Sequence, residues 1–124
     1  MIDLGIIVVS HSKNLAQGIV DLIREVASDI SLTYVGGTVD GGIGTSFEQV
    51  QEIVDANPAD NLLAFYDLGS ARMNIEMVAD LSEKTLEIQN VAILEGAYTA
   101  AALLQAGADK NAILTQLSEL QITK

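Results

Sequence analysis

Four short apolar runs, each followed by a segment with helical spacing, restrict the fold of this 124-residue chain more than any other feature. Leu4 to Val9, Leu32 to Val35 and Leu62 to Tyr66 are continuous and apolar, the pattern of strands covered on both faces, and Leu86 to Ile88 is a shorter run of the same kind. After the first three runs, apolar residues recur at helical spacing: Leu15, Ile19, Leu22, Ile23 and Val26; then Phe47, Val50, Ile53 and Val54; then Met73, Met77, Val78 and Leu81. An Ala-rich segment from about Ala92 to Ala106 and a last one carrying Ile113, Leu114, Leu117 and Leu120 complete the series. The order β-α-β-α-β-α-β-α-α predicts an α/β fold: an open, mainly parallel four-stranded sheet with right-handed crossovers and helices on both faces.

Local signals punctuate these elements. Ser12 or Asn14 can cap the first helix, and Thr45-Ser46-Phe47-Glu48 fits a capping box opening a second helix that stops near Asn57-Pro58. The third helix is expected from about Ala71 to Ser82, after the turn Asp67-Leu68-Gly69-Ser70. Gly107 is placed to end the Ala-rich helix, and Asp109 to cap the last one. Five glycines between Gly36 and Gly44 imply positive backbone angles or a close approach to a neighbour. Small residues from Gly96 to Ala102 permit tight helix packing, either within the fold or across a symmetric dimer.

The chain is long enough for one domain, expected over residues 1–124, and with 49% hydrophobic residues but few aromatics its core must be mainly aliphatic. Six Lys plus Arg against 17 Asp plus Glu leave a formal charge of -11, the wrong sign for covering nucleic acid phosphates or anionic membranes. A protein partner with a basic face suits this charge better. No run reaches the length of a spanning helix and the start lacks a signal-peptide pattern, so a cytoplasmic protein is expected. With no cysteine and one histidine, thiolate chemistry and the usual zinc sites are excluded.

That single histidine, His11, directly follows the first strand, at the edge of the sheet where open α/β folds collect reactive groups. It is either an exposed loop residue or a nucleophile. Asp67 ends the third strand; if the first and third strands are neighbours, the two side chains come within hydrogen-bond reach. A carboxylate accepting the Nδ1 proton would fix the tautomer and leave the Nε2 lone pair free. Asp67 could instead serve only its turn. Helix starts at Ser12, Thr45, Ser46, Gly69 and Ser70 offer N–H and hydroxyl donors for a phosphoryl group, although plain capping accounts for each hydroxyl equally well. A Ser-His-Asp hydrolase is disfavoured because no G-x-S-x-G elbow is present, and the glycine-rich loop lacks both common nucleotide-binding patterns.

At these residues a resemblance emerges. Ile7-Val8-Val9-Ser10-His11-Ser12 followed by Leu15-Ala16-Gln17-Gly18 resembles the phosphorylation site of the mannose-type enzyme IIA family of the bacterial phosphotransferase system. Gly36-Gly37-Thr38, Ile43-Gly44-Thr45-Ser46 and Asp67-Leu68-Gly69-Ser70-Ala71-Arg72-Met73-Asn74 resemble more narrowly the branch that serves phosphoenolpyruvate-dependent dihydroxyacetone kinase. The resemblance implies the mannose-type enzyme IIA fold, a homodimer, His11 phosphorylated on Nε2 and Asp67 orienting it; the phosphate contacts expected from Ser12, Thr45, Gly69 and Ser70 rest on the helix starts. It implies that phosphate arrives from the histidine-containing phosphocarrier protein and leaves to ADP, held with magnesium on the nucleotide-binding subunit of dihydroxyacetone kinase. This chain itself would bind no cofactor or metal. Because some relatives carry further phosphocarrier domains after this one, the chain is expected to rely on separate carriers. The alternatives are the enzyme IIA component of a mannose-type sugar transporter and a noncatalytic module that regulates by docking.

Overall fold

The computed structural model describes residues 3–124; Met1 and Ile2, which the expected 1–124 unit includes, lie outside the described residues. The elements are β1 Leu4–Ser10, α1 Lys13–Val26, β2 Leu32–Gly36, α2 Phe47–Ala56, β3 Asn61–Tyr66, α3 Gly69–Leu81, β4 Thr85–Gln89, α4 Ile93–Gln105 and α5 Lys110–Leu117, followed by a 3₁₀ turn at Ser118–Leu120. The four strands are parallel in the order β2-β1-β3-β4. This is the sheet the sequence predicts. β1 and β3 sit in the middle, and the chain leaves β1 in one direction and β3 in the other, so the switch point of the sheet lies between them.

Alternation along the central strands divides the core in two. Ile6 and Val8 of β1 and Leu63 and Phe65 of β3 point to one face, where Ile19, Ile23, Ala97, Ala100, Ile113 and Leu117 from α1, α4 and α5 cover them. Ile7, Val9, Leu62, Ala64 and Tyr66 point to the other, under Val50, Val54, Ala71, Ile75 and Val78 of α2 and α3. Each fully buried aliphatic side chain contributes about 1.5–3 kcal/mol relative to exposure. Of the small residues of α4, Gly96, Ala97, Ala100 and Ala101 are buried within the chain. A Cβ at Gly96 would lie 2.3 Å from Val91 Cγ2 and 3.4 Å from Phe65, so glycine there permits the close approach of α4 to the sheet.

Two helices are rotated from their expected faces. On α1 the buried residues are Ala16, Ile19, Val20 and Ile23, whereas Leu15, Leu22 and Val26 are exposed. On α3 the buried stripe is Ala71, Ile75 and Val78, leaving Met73, Met77 and Leu81 in solvent. Both helices carry two apolar stripes, and the larger side chains do not decide between them. The short turn after each strand fixes the helix rotation, and small Ala16 and Ala71 let the first turn of each helix lie against the sheet.

The caps follow the sequence with one shift of register. Ser12 caps α1 by accepting from Leu15 N–H at 3.2 Å, Asp109 caps α5 by accepting from Ala112 N–H at 2.8 Å, and Gly107 takes a φ of 89° after α4. For α2 the cap is Ser46, not Thr45. Its hydroxyl accepts from Gln49 N–H at 3.3 Å and pairs with Gln49 Oε1 at 3.0 Å, so the partner three residues on is Gln49 and not Glu48.

A candidate phosphoryl-accepting site at the sheet's switch point

β1 ends at Ser10 and β3 at Tyr66, and their parallel pairing, with Val9 opposite Tyr66, sets the next residues side by side. His11 and Asp67 therefore meet although 56 positions separate them. Asp67 accepts four hydrogen bonds: from His11 Nδ1 at 2.8 Å and Leu68 N–H at 2.7 Å on Oδ1, and from His11 N–H at 2.9 Å and Ser10 Oγ at 2.8 Å on Oδ2. Partial burial pushes the Asp67 carboxyl pKa up, but the hydrogen bonds from His11, Ser10 and Leu68 outweigh it and hold the group below its ordinary value. An ionised, fully engaged carboxylate is a firm acceptor for the ring.

With Nδ1 so occupied, Nε2 is the nitrogen turned outward, 2.5 Å from the Oγ of exposed Ser70 in the first turn of α3. The ring keeps 16% of its side-chain surface in solvent, and the Asp67 side chain keeps 10%. Both members of the pair are thus mostly buried. The 560 Å³ cavity bounded by Asp60, Asn61, Lys84 and Thr85 lies at the opposite edge, where β3 and β4 begin. His11 takes no part in lining that cavity.

The other expected phosphate contacts converge on this edge in different states. Leu68 is the residue before α3 and makes no side-chain cap, so the first-turn N–H groups of Gly69 and Ser70 have no intrahelical carbonyl to bond. The Ser12 hydroxyl is engaged in capping but only as an acceptor, which leaves its proton to donate. The Thr45 hydroxyl likewise accepts, from Asn74 Nδ2 at 2.7 Å, and this bond ties the start of α2 to α3. Ser46 is used up in its exchange with Gln49.

The glycine-rich loop supports the histidine from behind. Gly44 N–H donates to His11 O at 2.9 Å and Gly37 N–H to Ser10 O at 3.1 Å, and Gly37, Gly41 and Gly44 adopt φ of 76°, 88° and 146°. Sequence reasoning anticipated the unusual angles but not their object, which is to bring loop amides onto the main chain around His11. It also missed the role of Ser10. That hydroxyl is buried, donates to Asp67 and accepts from Ser12 N–H at 3.0 Å. A serine closing an otherwise apolar strand was the available signal.

The family model described as PTS system fructose IIA component, EIIA-man, matches residues 5–114, a span that includes every residue of this site named so far. The chain belongs to the EIIA-man family. Two relatives place it more narrowly. It is 55% identical over 120 residues to the phosphotransferase subunit DhaM of the PTS-dependent dihydroxyacetone kinase of Lactococcus lactis subsp. lactis (strain IL1403), covering 97% of this chain and 98% of that one. It is 48% identical over 118 residues, 95% of each chain, to the phosphoryl donor subunit DhaM of PEP-dependent dihydroxyacetone kinase 1 of Listeria innocua serovar 6a (strain ATCC BAA-680 / CLIP 11262). Among solved structures, the unknown-function protein EF1359 superposes with a TM-score of 0.85 at 26% identity over 98% of both chains. The EIIA-man fold and the dihydroxyacetone-kinase resemblance expected from the sequence are thereby both met.

Proposed function

We propose that this chain is the phosphoryl donor subunit of a phosphotransferase-system-dependent dihydroxyacetone kinase, and that His11 Nε2 carries the phosphoryl group. The observation that supports this most directly is the pairing of His11 Nδ1 with Asp67 at 2.8 Å, which leaves Nε2 outward in a chain that covers 98% and 95% of two DhaM relatives. In the loading step the Nε2 lone pair attacks the phosphorus carried by the histidine of the phosphocarrier protein. A new N–P bond forms as the donor's N–P bond breaks, and the donor's ring nitrogen takes back its electron pair. A neutral imidazole needs no base for this, and positive charge gathered on the His11 ring is met by Asp67 through Nδ1–H. In the unloading step an oxygen of the β-phosphate of ADP, held with magnesium on the kinase's nucleotide-binding subunit, takes the phosphoryl group and His11 becomes neutral again.

The site's own part is positioning and electrostatics, as phosphoryl transfer requires. Ser70 Oγ lies where an arriving phosphoryl oxygen would sit and gives way to it, while the free amides of Gly69 and Ser70 and the Ser12 and Thr45 hydroxyls serve as donors. The Asp67–His11–Ser70 line has the contacts of a hydrolase triad. The family and the DhaM relatives favour transfer over hydrolysis, and the same relatives favour the kinase over a sugar transporter. The reading includes a cytoplasmic homodimer. No helix among the described residues is long and apolar enough to cross a membrane, and the exposed stripes Met73, Met77 and Leu81 on α3 and Leu15, Leu22 and Val26 on α1 are apolar faces open to a second copy.

Incubation with phosphoenolpyruvate, the general phosphotransferase enzyme and the phosphocarrier protein, followed by intact mass measurement, tests the reading. One acid-labile phosphoryl group is expected on the wild type and none on His11→Gln. An unmodified wild type would end it.

A further inference from the structure

The last residues of the chain return to the site. Gln121 pairs antiparallel with Val91, Ile122 N–H donates to Asn90 O at 3.0 Å and Ala92 N–H to Leu120 O at 3.2 Å, so this segment follows the β4–α4 connection. Lys124 then reaches Tyr66, the last residue of β3. Its Nζ lies 3.9 Å from the centroid of the Tyr66 ring and donates to the Tyr66 main-chain oxygen at 2.5 Å. The Tyr66 ring is itself buried, 1% exposed, and its hydroxyl donates to Asn90 Oδ1 at 2.5 Å.

We propose that Lys124 is a positioning residue of the phosphoryl-accepting site: its ammonium, seated on the ring and carbonyl of Tyr66, supplies the local positive charge for Asp67 and steadies the peptide that leads into it. The inference rests on the phosphoryl-relay reading above.

Three observations carry it. The carbonyl that Lys124 holds belongs to the peptide unit joining Tyr66 to Asp67, so the contact acts on the main chain that aims the carboxylate. Holding a lysine side chain in one place costs rotamer freedom, and here a cation–π contact and a hydrogen bond offset that cost together. The third observation is charge. Loading His11 brings a dianionic group beside a carboxylate in a chain of formal charge -11 with six Lys plus Arg, and a nearby fixed cation weakens that repulsion. Desolvation pulls the Lys124 pKa down and the Asp67 carboxylate pushes it back up, while the Asp67 carboxyl is held low by its own hydrogen bonds from His11, Ser10 and Leu68. The titratable group bonded to Asp67 is His11, from the β1–α1 connection; Lys124 approaches through the ring and carbonyl of Tyr66, and the other partners of Asp67, Ser10 and Leu68, are uncharged.

The test compares wild type, Lys124→Gln and Lys124→Arg by two measurements: carbon-13 NMR titration of the Asp67 carboxyl, and the rate of His11 loading over a range of phosphocarrier concentrations. In Lys124→Gln the Asp67 carboxyl should titrate at higher pH than in wild type, and kcat for loading should fall about three- to tenfold with KM unchanged. Lys124→Arg, which keeps the charge and the ring contact, should restore both. An Asp67 titration left in place by Lys124→Gln, or loading as fast as wild type, would overturn the role of Lys124. A wild type that takes no phosphate would overturn the relay reading instead, a result the carboxyl titration does not depend on.

Discussion

His11 and Asp67 are joined at two points: the His11 main-chain N–H donates to Asp67 Oδ2 at 2.9 Å and the ring Nδ1 to Oδ1 at 2.8 Å. One carboxylate thus fixes both the backbone from which the imidazole projects and the ring itself. The pair behaves as a rigid unit with one free nitrogen, and the consequences of disturbing it differ from those of a single hydrogen bond.

Asp67→Asn should keep the fold and slow phosphorylation of His11 by on the order of 10²-fold or more, because an amide cannot accept at both oxygens and its NH₂ group favours the wrong ring tautomer. Phosphorylation kinetics alongside circular dichroism check this. A rate equal to that of wild type would reduce the carboxylate to a shaper of its turn.

Acid should remove the stabilisation that Asp67 provides. Its pKa is held below the ordinary 3.8 in the folded chain, so the contribution is complete above the unfolded value and disappears as pH falls through the folded one. The gap in Tm between wild type and Asp67→Asn should be widest near neutral pH and narrow below about 4. A constant gap would mean that the Asp67 carboxyl has the same pKa in the folded and unfolded chain.

Ser70→Ala separates relay from hydrolase. The substitution removes the 2.5 Å contact with Nε2 but leaves the first-turn amides of α3 in place. Phosphorylation of His11 should persist within about tenfold of wild type, the scale of one hydrogen bond to a charged group. Complete loss of phosphate acceptance, with acylation of Ser70 in the wild type, would favour the triad.

Two glycines only 18 residues apart should respond with opposite sign. A Cβ at Gly36 would meet Ser12 O at 2.4 Å and Ala16 Cβ and Lys13 Cα at 2.8 Å, whereas Gly18, exposed in α1, has nothing within 4 Å. Gly36→Ala should cost about 1–3 kcal/mol by pushing away the first turn of α1 beside His11. Gly18→Ala should stabilise by about 0.5–1 kcal/mol. Thermal denaturation of both checks the pair, and a Gly36→Ala protein as stable as wild type would show that α1 yields freely.

What could be read directly from the chain was local. Strand and helix order, the cap residues Ser12 and Asp109, the stop at Gly107 and the place of His11 at a strand end follow from continuous apolar runs, a period of 3.6 and single-residue chemistry, all within a few positions of one another. Where two local patterns competed, as with Met73, Met77 and Leu81 against Ala71, Ile75 and Val78, periodicity had no means of choosing, because helix rotation is set by the direction in which the preceding strand releases the chain. The adjacency of β1 and β3 was a condition the sequence could state but not settle. It took the order β2-β1-β3-β4 to bring His11 to Asp67, Ser70 to Nε2, and Lys124 back to Tyr66, across separations of 56, 59 and 58 residues. Hydrogen bonds between such distant groups form only after both strands are docked, and the free energy that docks them comes from burying two aliphatic cores, in which the site's polar residues take no part.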